Sequence, residues 1–442
     1  MSSEIRLMHD IVQQAELESG TVGELMYWLV ARLYPICRSL TGEGVRQTLA
    51  VVNERIPLTV HEVPTGTQVF DWKVPKEWNI RDAYIKNLKG DRLVDFSHSN
   101  LHVLNYSLPV RGRLSLDELR QHLFTLPDTP EWIPYRTSYY QERWGFCLSH
   151  NQMRALQDPF YDVCIDSSLK DGTLTYGECF LQGASSEEVL ISCHVCHPSL
   201  CNDNLSGIVL ATFLASTVQT WDRRYSYRFL FLPGTIGAIS WLAQNEESTA
   251  RIKLGLVLAC AGDAGKPHYK QSRRGNAEID RIFAHVLRHT SAPYEIMEFS
   301  PWGYDERQFC SPGFDLPVGC FMRTPHGCFP EYHTSADDLN LVQPAYLEDS
   351  YNLCLSALRA AEWNRTYHSQ NPKCEPQLGK RGLYGGAESR NGQPTNLELL
   401  WLLNLADGEH DLLAIAERAG IPISRAQNAA RALIDHHLIH EA

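Results

Sequence analysis

The chain has 442 residues, 43% of them hydrophobic, more apolar material than one compact core of ordinary size takes up, so several domains are expected. Its formal net charge of -12 leaves no surplus of Lys and Arg to neutralise phosphates, which excludes nucleic acid as an expected partner. The opening MSSEIRLMHDIVQQAELESG lacks a basic-then-apolar leader pattern and no membrane-length apolar run follows, while the odd count of 13 cysteines suits a reducing compartment, so a soluble cytoplasmic protein without a membrane partner is expected.

In chain order, an amphipathic stretch from Thr21 to Leu33 leads into PICRSLTGEGVRQTLAVVNERI, where a Gly-containing turn precedes a second helical pattern. From residue 58 to 163 the chain changes to short β-prone segments crowded with Trp, Tyr, Pro and Gly, such as TQVFDWKVPKEWNI and WIPYRTSYYQERWGF. This reads as an inserted β-rich domain. Apolar strands then alternate with helical patterns: EEVLISCH, SGIVLATFLASTV, YRFLFLPG, TIGAISWLAQNE and LGLVLACAG. Continuous apolar runs separated by helices indicate βαβ units, and the expected fold class is α/β. A mainly parallel sheet flanked by helices is assigned to residues 1–57 and 164–370. In such sheets ligands bind beyond the carboxyl ends of the strands.

A helix from about Leu341 to Trp363 closes this domain, and SQNPKCEPQLGKRGLYGGAESRNGQP contains a turn-rich linker, residues 371–394. Three short helical patterns from Thr395 onward suggest a winged-helix-like domain over 395–442. There Glu398, Asp407, Glu409, Asp411, Glu417, Asp435 and Glu441 face only three arginines, so packing or subunit contact in a homo-oligomer is expected of it rather than DNA binding.

The densest chemical signal is CHVCHPSLCNDNLSG, which follows the strand EEVLIS and runs into a helix, placing His194, His197, Asp203 and Asn204 around one loop at a strand's carboxyl end. Imidazole and carboxylate suit zinc in an open catalytic site. Cys193, Cys196 and Cys201 could be read as a thiolate knot, but no second paired-cysteine element accompanies them; the histidines could also simply brace a tight turn. Two further segments favour a metal: LVLACAGDAG ends a strand with Asp263, and FPEYHTSADDL sets His333 in a polar turn beside a helix.

On these segments, together with SLTGEGVRQTL, FDWKVPKEWNI, PGTIGAI, SRRGN, YDERQFC and GKRGLYG, the sequence resembles the aminopeptidase-type zinc exopeptidases. It resembles more closely still a three-domain aminopeptidase family in which the exopeptidase core carries an inserted β-rich domain and a C-terminal winged helix. The resemblance implies His194 and Asp263 as ligands of one metal position, Asp203 as a bridging carboxylate and His333 as a ligand of the other, with His197 competing for the first place. It also implies a glutamate outside the metal shell that takes the proton from a bound water.

That glutamate is where the chain departs from the pattern. The exopeptidases have Glu-Glu after the next strand and the three-domain family Pro-Glu-Thr-Ile-Gly, whereas this chain reads Pro233, Gly234, Thr235, Ile236, Gly237. Gly234 lacks a base and Thr235 lacks a carboxylate, so one zinc rather than two is expected. Cys196 stands where an Asp would orient the ligand histidine. Glu306 is the substitute base considered; Asp305 and Arg307, with Asn204, are the expected substrate-binding residues, Arg307 through a bidentate carboxylate pair. Tyr332, beside His333, could stabilise an oxyanion. Glu246 and Glu247 are read as a surface pair too distant from the metal.

The expected function is a zinc-dependent hydrolase acting on a small amide or peptide-like substrate in a biosynthetic setting. Two alternatives keep the fold: a non-peptidase performing amide formation, cyclisation or elimination, and a non-catalytic binding protein.

Overall fold

The computed structural model describes residues 20–383 and 393–442; part of the expected linker, and the first 19 residues of the expected core domain, lie outside them. The described chain forms two compact units: one ends at Gly275 and resumes over Glu295–Tyr351, and the other comprises Asn276–Tyr294 and Asn352–Ala442.

The first unit opens with helices α1 (Val22–Leu33) and α2 (Glu43–Asn53). Thr21 begins α1 with a capping box: its hydroxyl accepts from Glu24 N at 3.3 Å and its own N–H donates to Glu24 Oε2 at 2.8 Å, so two otherwise orphaned donors are satisfied together. Strand β1 (Thr59–Pro64) follows. An excursion then contributes β2 (Glu77–Lys86), β3 (Arg92–Asp95), β4 (Val110–Ser115) and β5 (Phe160–Lys170). These four make an antiparallel sheet in the order β3-β2-β5-β4.

The chain then returns through β6 (Thr173–Leu181), β7 (Glu188–His194), α3 (Ser206–Val218), β8 (Ser226–Leu232), α4 (Ile236–Gln244), β9 (Ile252–Leu258) and β10 (His268–Lys270). Helix α5 (Glu278–Arg288) belongs to the second unit; β11 (Glu295–Met297), a short helix α6 (Glu306–Phe309), β12 (Val318–Met322) and the start of the long helix α7 (Pro344–Trp363) complete the first. The large sheet has eight strands in the order β1-β6-β8-β7-β9-β12-β10-β11. Its centre, β8-β7-β9-β12, is parallel throughout. Every residue of β7 and β8 is buried, as strands covered on both faces must be, and α3 is apolar on nearly all sides because it is buried there too.

Strand β1 belongs to the large sheet, pairing with β6, so the expected boundary at residue 58 falls one strand early, and the boundary at 163 falls inside β5. The reason is chemical: β1 is a mostly exposed edge strand, TVHEVP, with no buried alternation to mark which sheet it serves.

In the second unit β13 (Thr366–Ser369) pairs antiparallel with both β14 (Asp407–Asp411) and β15 (Ile439–Glu441). Helices α8 (Asn396–Leu405), α9 (Leu412–Ala419) and α10 (Ile423–Asp435) pack around Leu399, Leu402, Leu413, Ile415, Ala430 and Leu433, all buried. The winged sheet therefore begins at Thr366, inside the stretch expected to end the α/β domain at 370. Several of the acids counted above are engaged here: Arg281 of α5 binds Asp411 at 2.9 Å and Glu417 at 3.1 Å, and Arg425 binds Glu398 at 2.7 Å. Among the described residues no helix is long and apolar enough to cross a membrane.

Candidate metal centre

Strand β7 ends on His194, and the loop that follows brings Asp203 back to it before α3 begins. His194 Nε2 lies 2.8 Å from Asp203 Oδ1, and His333 Nε2 lies 2.9 Å from Asp203 Oδ2. His197 Nε2 stands 3.7 Å from the same Oδ2. His194, His197 and Asp203 are all buried, with one donor atom from each within 4.8 Å of the others. Sequence alone treated His194 and His197 as competitors; the fold brings both to one carboxylate.

Several groups hold this loop. Asp337 accepts the backbone N–H of Asn202 at 2.6 Å and of Asp203 at 3.0 Å through its two carboxylate oxygens. Its carbonyl accepts from Cys201 N at 3.0 Å. On the other side the buried Arg38 guanidinium donates to the carbonyls of His197 at 2.7 Å and Pro198 at 2.8 Å. The Arg38-bearing turn between α1 and α2, legible only as a turn, is thus a clamp on the loop between His194 and Asp203.

Asn204 is turned inward. Its amide donates to Leu258 O at 3.1 Å, accepts from Cys260 N at 3.2 Å and rests 3.2 Å from His194 Nδ1. It orients the His194 ring and is not free to bind substrate, which corrects the expectation for it. Asp263 is also corrected. Its carboxylate is occupied by Asn202 Nδ2 at 2.8 Å, Thr324 Oγ1 at 3.0 Å and Gly265 N at 2.7 Å, and it joins neither cluster of metal-capable groups among the described residues. It braces the loop instead.

Electrostatics match a cation-binding role. Burial pushes the Asp203 carboxyl up, but the surrounding histidines, His197 first and then His194 and His333 through their hydrogen bonds, outweigh it and hold it well below the carboxylate range. Burial drives the His197 imidazole well below its ordinary value, and His194, His333 and His326 push the same way against Asp203. The result is an ionised carboxylate facing a neutral imidazole, the protonation states that ligate metals. Three imidazoles around one carboxylate at a strand end fit a divalent cation of borderline softness.

A second cluster went unnoticed in the sequence. Asp203, Cys260 and His326 also offer donor atoms within 4.8 Å of one another. Cys260 lies just beyond β9 and His326 just beyond β12. The cysteines of the loop itself join neither cluster, and all 13 cysteines are free thiols. Cys196 is held as a thiol, burial raising it to about 12.

The expected base position is filled by an aromatic ring. Tyr304 stacks on His194 with ring centres 3.7 Å apart, and its hydroxyl lies 3.1 Å from Cys196 Sγ. A methyl group at Gly234 would meet Tyr304 Cε1 at 1.8 Å. The YDERQF segment is therefore not a solvated loop. Glu306 is fully buried, ion-paired with Lys270, and accepts the Tyr304 N–H at 3.0 Å, so it is committed to holding Tyr304 in place and is not a free base. Asp305 is fully buried and neither carboxylate oxygen has a hydrogen-bond partner among the described residues; burial pushes its carboxyl well up, Glu306 adds to this and Arg307 opposes it. An enclosed acid whose burial favours the protonated form is a poor substrate contact. Arg307 stays half-buried, donating at 3.4 Å to Gly303 O, and Glu246 and Glu247 are exposed as expected.

Tyr332 stacks on His333 at 4.0 Å, and burial, with Asp203 adding, raises its phenol far enough to keep the proton at any physiological pH. The excursion between β1 and β6 also reaches the site. Tyr135 packs 5.1 Å from both His197 and His333, and its N–H donates to His333 O at 2.8 Å. That bond helps to fix His333 at φ 57°, a conformation rare for a non-glycine residue.

Relatives share this architecture. A Clostridium acetobutylicum protein named as a candidate polysaccharide biosynthesis protein with an aminopeptidase-like domain is 50% identical over 427 residues, 96% of this chain and 98% of that one. A crystal structure of a candidate peptidase from Clostridium acetobutylicum superposes with a TM-score of 0.91 at 47% identity, covering 99% of this chain and 100% of that one. A zinc aminopeptidase from Bacillus subtilis shares the fold at a TM-score of 0.56 and 11% identity, over 77% of this chain and 94% of that one. The three-domain aminopeptidase-type resemblance thus holds, and residues 365–441 match the winged helix-turn-helix family. With residues 27–364 matching throughout, the chain belongs to the family described as a domain of unknown function, DUF4910.

Proposed function

We propose that this protein is a zinc-dependent hydrolase of the aminopeptidase type, cleaving a small amide or peptide-like substrate in polysaccharide biosynthesis, the process named for its Clostridium acetobutylicum relative. The observation that carries this reading is the convergence of His194, His197 and His333 on the ionised Asp203 at the carboxyl end of a central parallel strand.

In this reading His194, His197, Asp203 and His333 hold the zinc. When bound, zinc supplies Lewis acidity to a substrate carbonyl and lowers the pKa of a coordinated water. The chain's own residues do the rest. Asp337 and Arg38 fix the loop so that Asp203 presents both oxygens. Tyr332, protonated and packed on His333, is placed to donate to a developing oxyanion. Tyr135 walls the site and limits substrate width, and Arg307 offers its guanidinium to a substrate carboxylate. With seven acids against three arginines, the winged unit is assigned no nucleic acid.

The position of Tyr304 favours a second reading. Because its ring fills the place of the missing base, the same site could serve amide formation, cyclisation or elimination instead of hydrolysis. One experiment separates them. Zinc-replete protein is incubated with a library of aminoacyl and N-acyl amides and the products are identified by mass spectrometry, before and after chelation and zinc restoration. Water-added products that depend on zinc are expected; stoichiometric zinc with no hydrolysis of any amide overturns the hydrolase reading.

A further inference from the structure

The expectation of a single metal ion rested on Thr235, which offers no carboxylate where the exopeptidases have one. The fold supplies another set of donors. Asp203, Cys260 and His326 come from three separate segments, all at the carboxyl ends of central strands, and their donor atoms converge within 4.8 Å. We propose that Asp203, Cys260 and His326 form a second cation position, thiolate-containing, that takes a zinc-type divalent ion and shares the Asp203 carboxylate with the first. This rests on the proposed metal reading of Asp203.

Two observations support it besides the convergence. Cys260 adopts φ 45°, in the left-handed region that a cysteine rarely enters. Two hydrogen bonds pin it there, from its N–H to Asn204 Oδ1 at 3.2 Å and from Arg323 N to its carbonyl at 2.8 Å, so its Cα–Cβ bond is held in one direction. His326 Nε2 is buried and has no hydrogen-bond partner among the described residues, an orphaned polar atom that a cation would satisfy. Thiolate, imidazole and carboxylate together suit zinc or cobalt rather than calcium or magnesium.

The test uses the full chain, stripped by chelation and reloaded with cobalt(II) without oxygen. Bound cobalt is counted by elemental analysis and its ligands are read from the absorption spectrum. Two equivalents are expected, the second bringing a sulfur-to-cobalt charge-transfer band in the near ultraviolet. Cys260→Ser should abolish the band and remove one equivalent. His326→Ala should remove the same equivalent without touching the Cys260 backbone, which covers the case in which Cys260→Ser does not fold. Cys196→Ser should leave the band in place, since Cys196 joins neither cluster. One equivalent with no sulfur band overturns this proposal and leaves the first zinc site standing. A band that survives Cys260→Ser and disappears in Cys196→Ser also overturns it. Binding of no cobalt at all overturns both this position and the metal reading on which it rests.

Discussion

The ring of Tyr304 stands in the space that any side chain at Gly234 would need: a Cβ there would lie 1.8 Å from Cε1 and 2.5 Å from the hydroxyl. The two residues, distant in sequence, are one feature. The ring is further fixed by stacking on His194, by the contact of its hydroxyl with the Cys196 thiol, and by the buried Glu306 that accepts its N–H. Two of the departures from the exopeptidase pattern, at 196 and 234, therefore meet at one ring, that of Tyr304.

Restoring the glutamate alone should fail. Gly234→Glu forces Tyr304 out of a packed position, and overpacking of this kind costs about 1–3 kcal/mol. The single variant should melt earlier than the parent and gain no amide hydrolysis. Gly234→Glu combined with Tyr304→Gly opens the space, and should recover the melting temperature and raise hydrolysis by up to about 10²–10⁴, the usual worth of a positioned base. Thermal denaturation and turnover on an aminoacyl amide check both. A stable single variant would mean that Tyr304 is not fixed where it stands.

Glu306 should behave as a structural group. It is buried against Lys270, and removing one member of a buried ion pair typically costs about 3–5 kcal/mol because the other is left uncompensated. Glu306→Gln should lower denaturant resistance by that order, whereas Lys270→Met with Glu306→Leu should recover part of it. If Glu306→Gln keeps parental stability and loses only turnover, the carboxylate is acting in the chemistry after all.

Two aspartates that look equivalent in the sequence should separate when zinc is counted. Asp203 faces three histidines, while Asp263 is filled by Asn202, Thr324 and Gly265. Asp203→Ala should abolish stoichiometric zinc. Asp263→Asn should keep it, with an affinity loss of no more than the roughly 10–100-fold typical of outer positioning groups, and lose about 1–3 kcal/mol of stability from the broken loop bonds. Zinc titration with a competing chelator measures the difference.

The segments that ended on a strand followed by a loop were readable because the pattern carries direction: a buried run such as EVLISCH must deliver its last residue to the sheet's carboxyl edge, and His194 is there. The resemblance points to Asp263 as the ligand in its segment, but β9 ends at Leu258, so the residue that joins the Asp203–His326 cluster is Cys260, just past the strand, while Asp263 lies beyond the turn. A cysteine amid apolar residues gives no sign of this, since its usual role is that of a small hydrophobe. The burial of YDERQF was equally hidden. A run of charges reads as solvated unless its partner is known, and Lys270 reaches Glu306 from a strand far away in sequence. Edge strand β1 was missed because exposure erases the periodicity on which such a reading depends.

The second unit contains a pH-sensitive contact that can be tested apart from any metal. His285 on α5 accepts the Ile423 N–H through Nε2 at 3.0 Å, supplying α10 with the N-terminal hydrogen bond that Pro422 does not give. Only a ring whose Nε2 is unprotonated can accept it. Burial lowers the His285 pKa to about 4, with His289, Arg288 and Arg281 adding repulsion. A folded-state value below the unfolded one means that the unfolded chain binds more protons between these values. The contribution is therefore full above the ordinary histidine value of about 6.5 and is lost as pH falls towards 4, by no more than about 3 kcal/mol and less where solvent screens it. Amide exchange at Ile423 and along the first turn of α10, corrected for intrinsic rates, should accelerate from pH 7 to pH 4.5 relative to the rest of the unit. His285→Gln, whose amide oxygen can accept without titrating, should flatten that dependence. Equal pH dependence in parent and variant would place the sensitive group elsewhere.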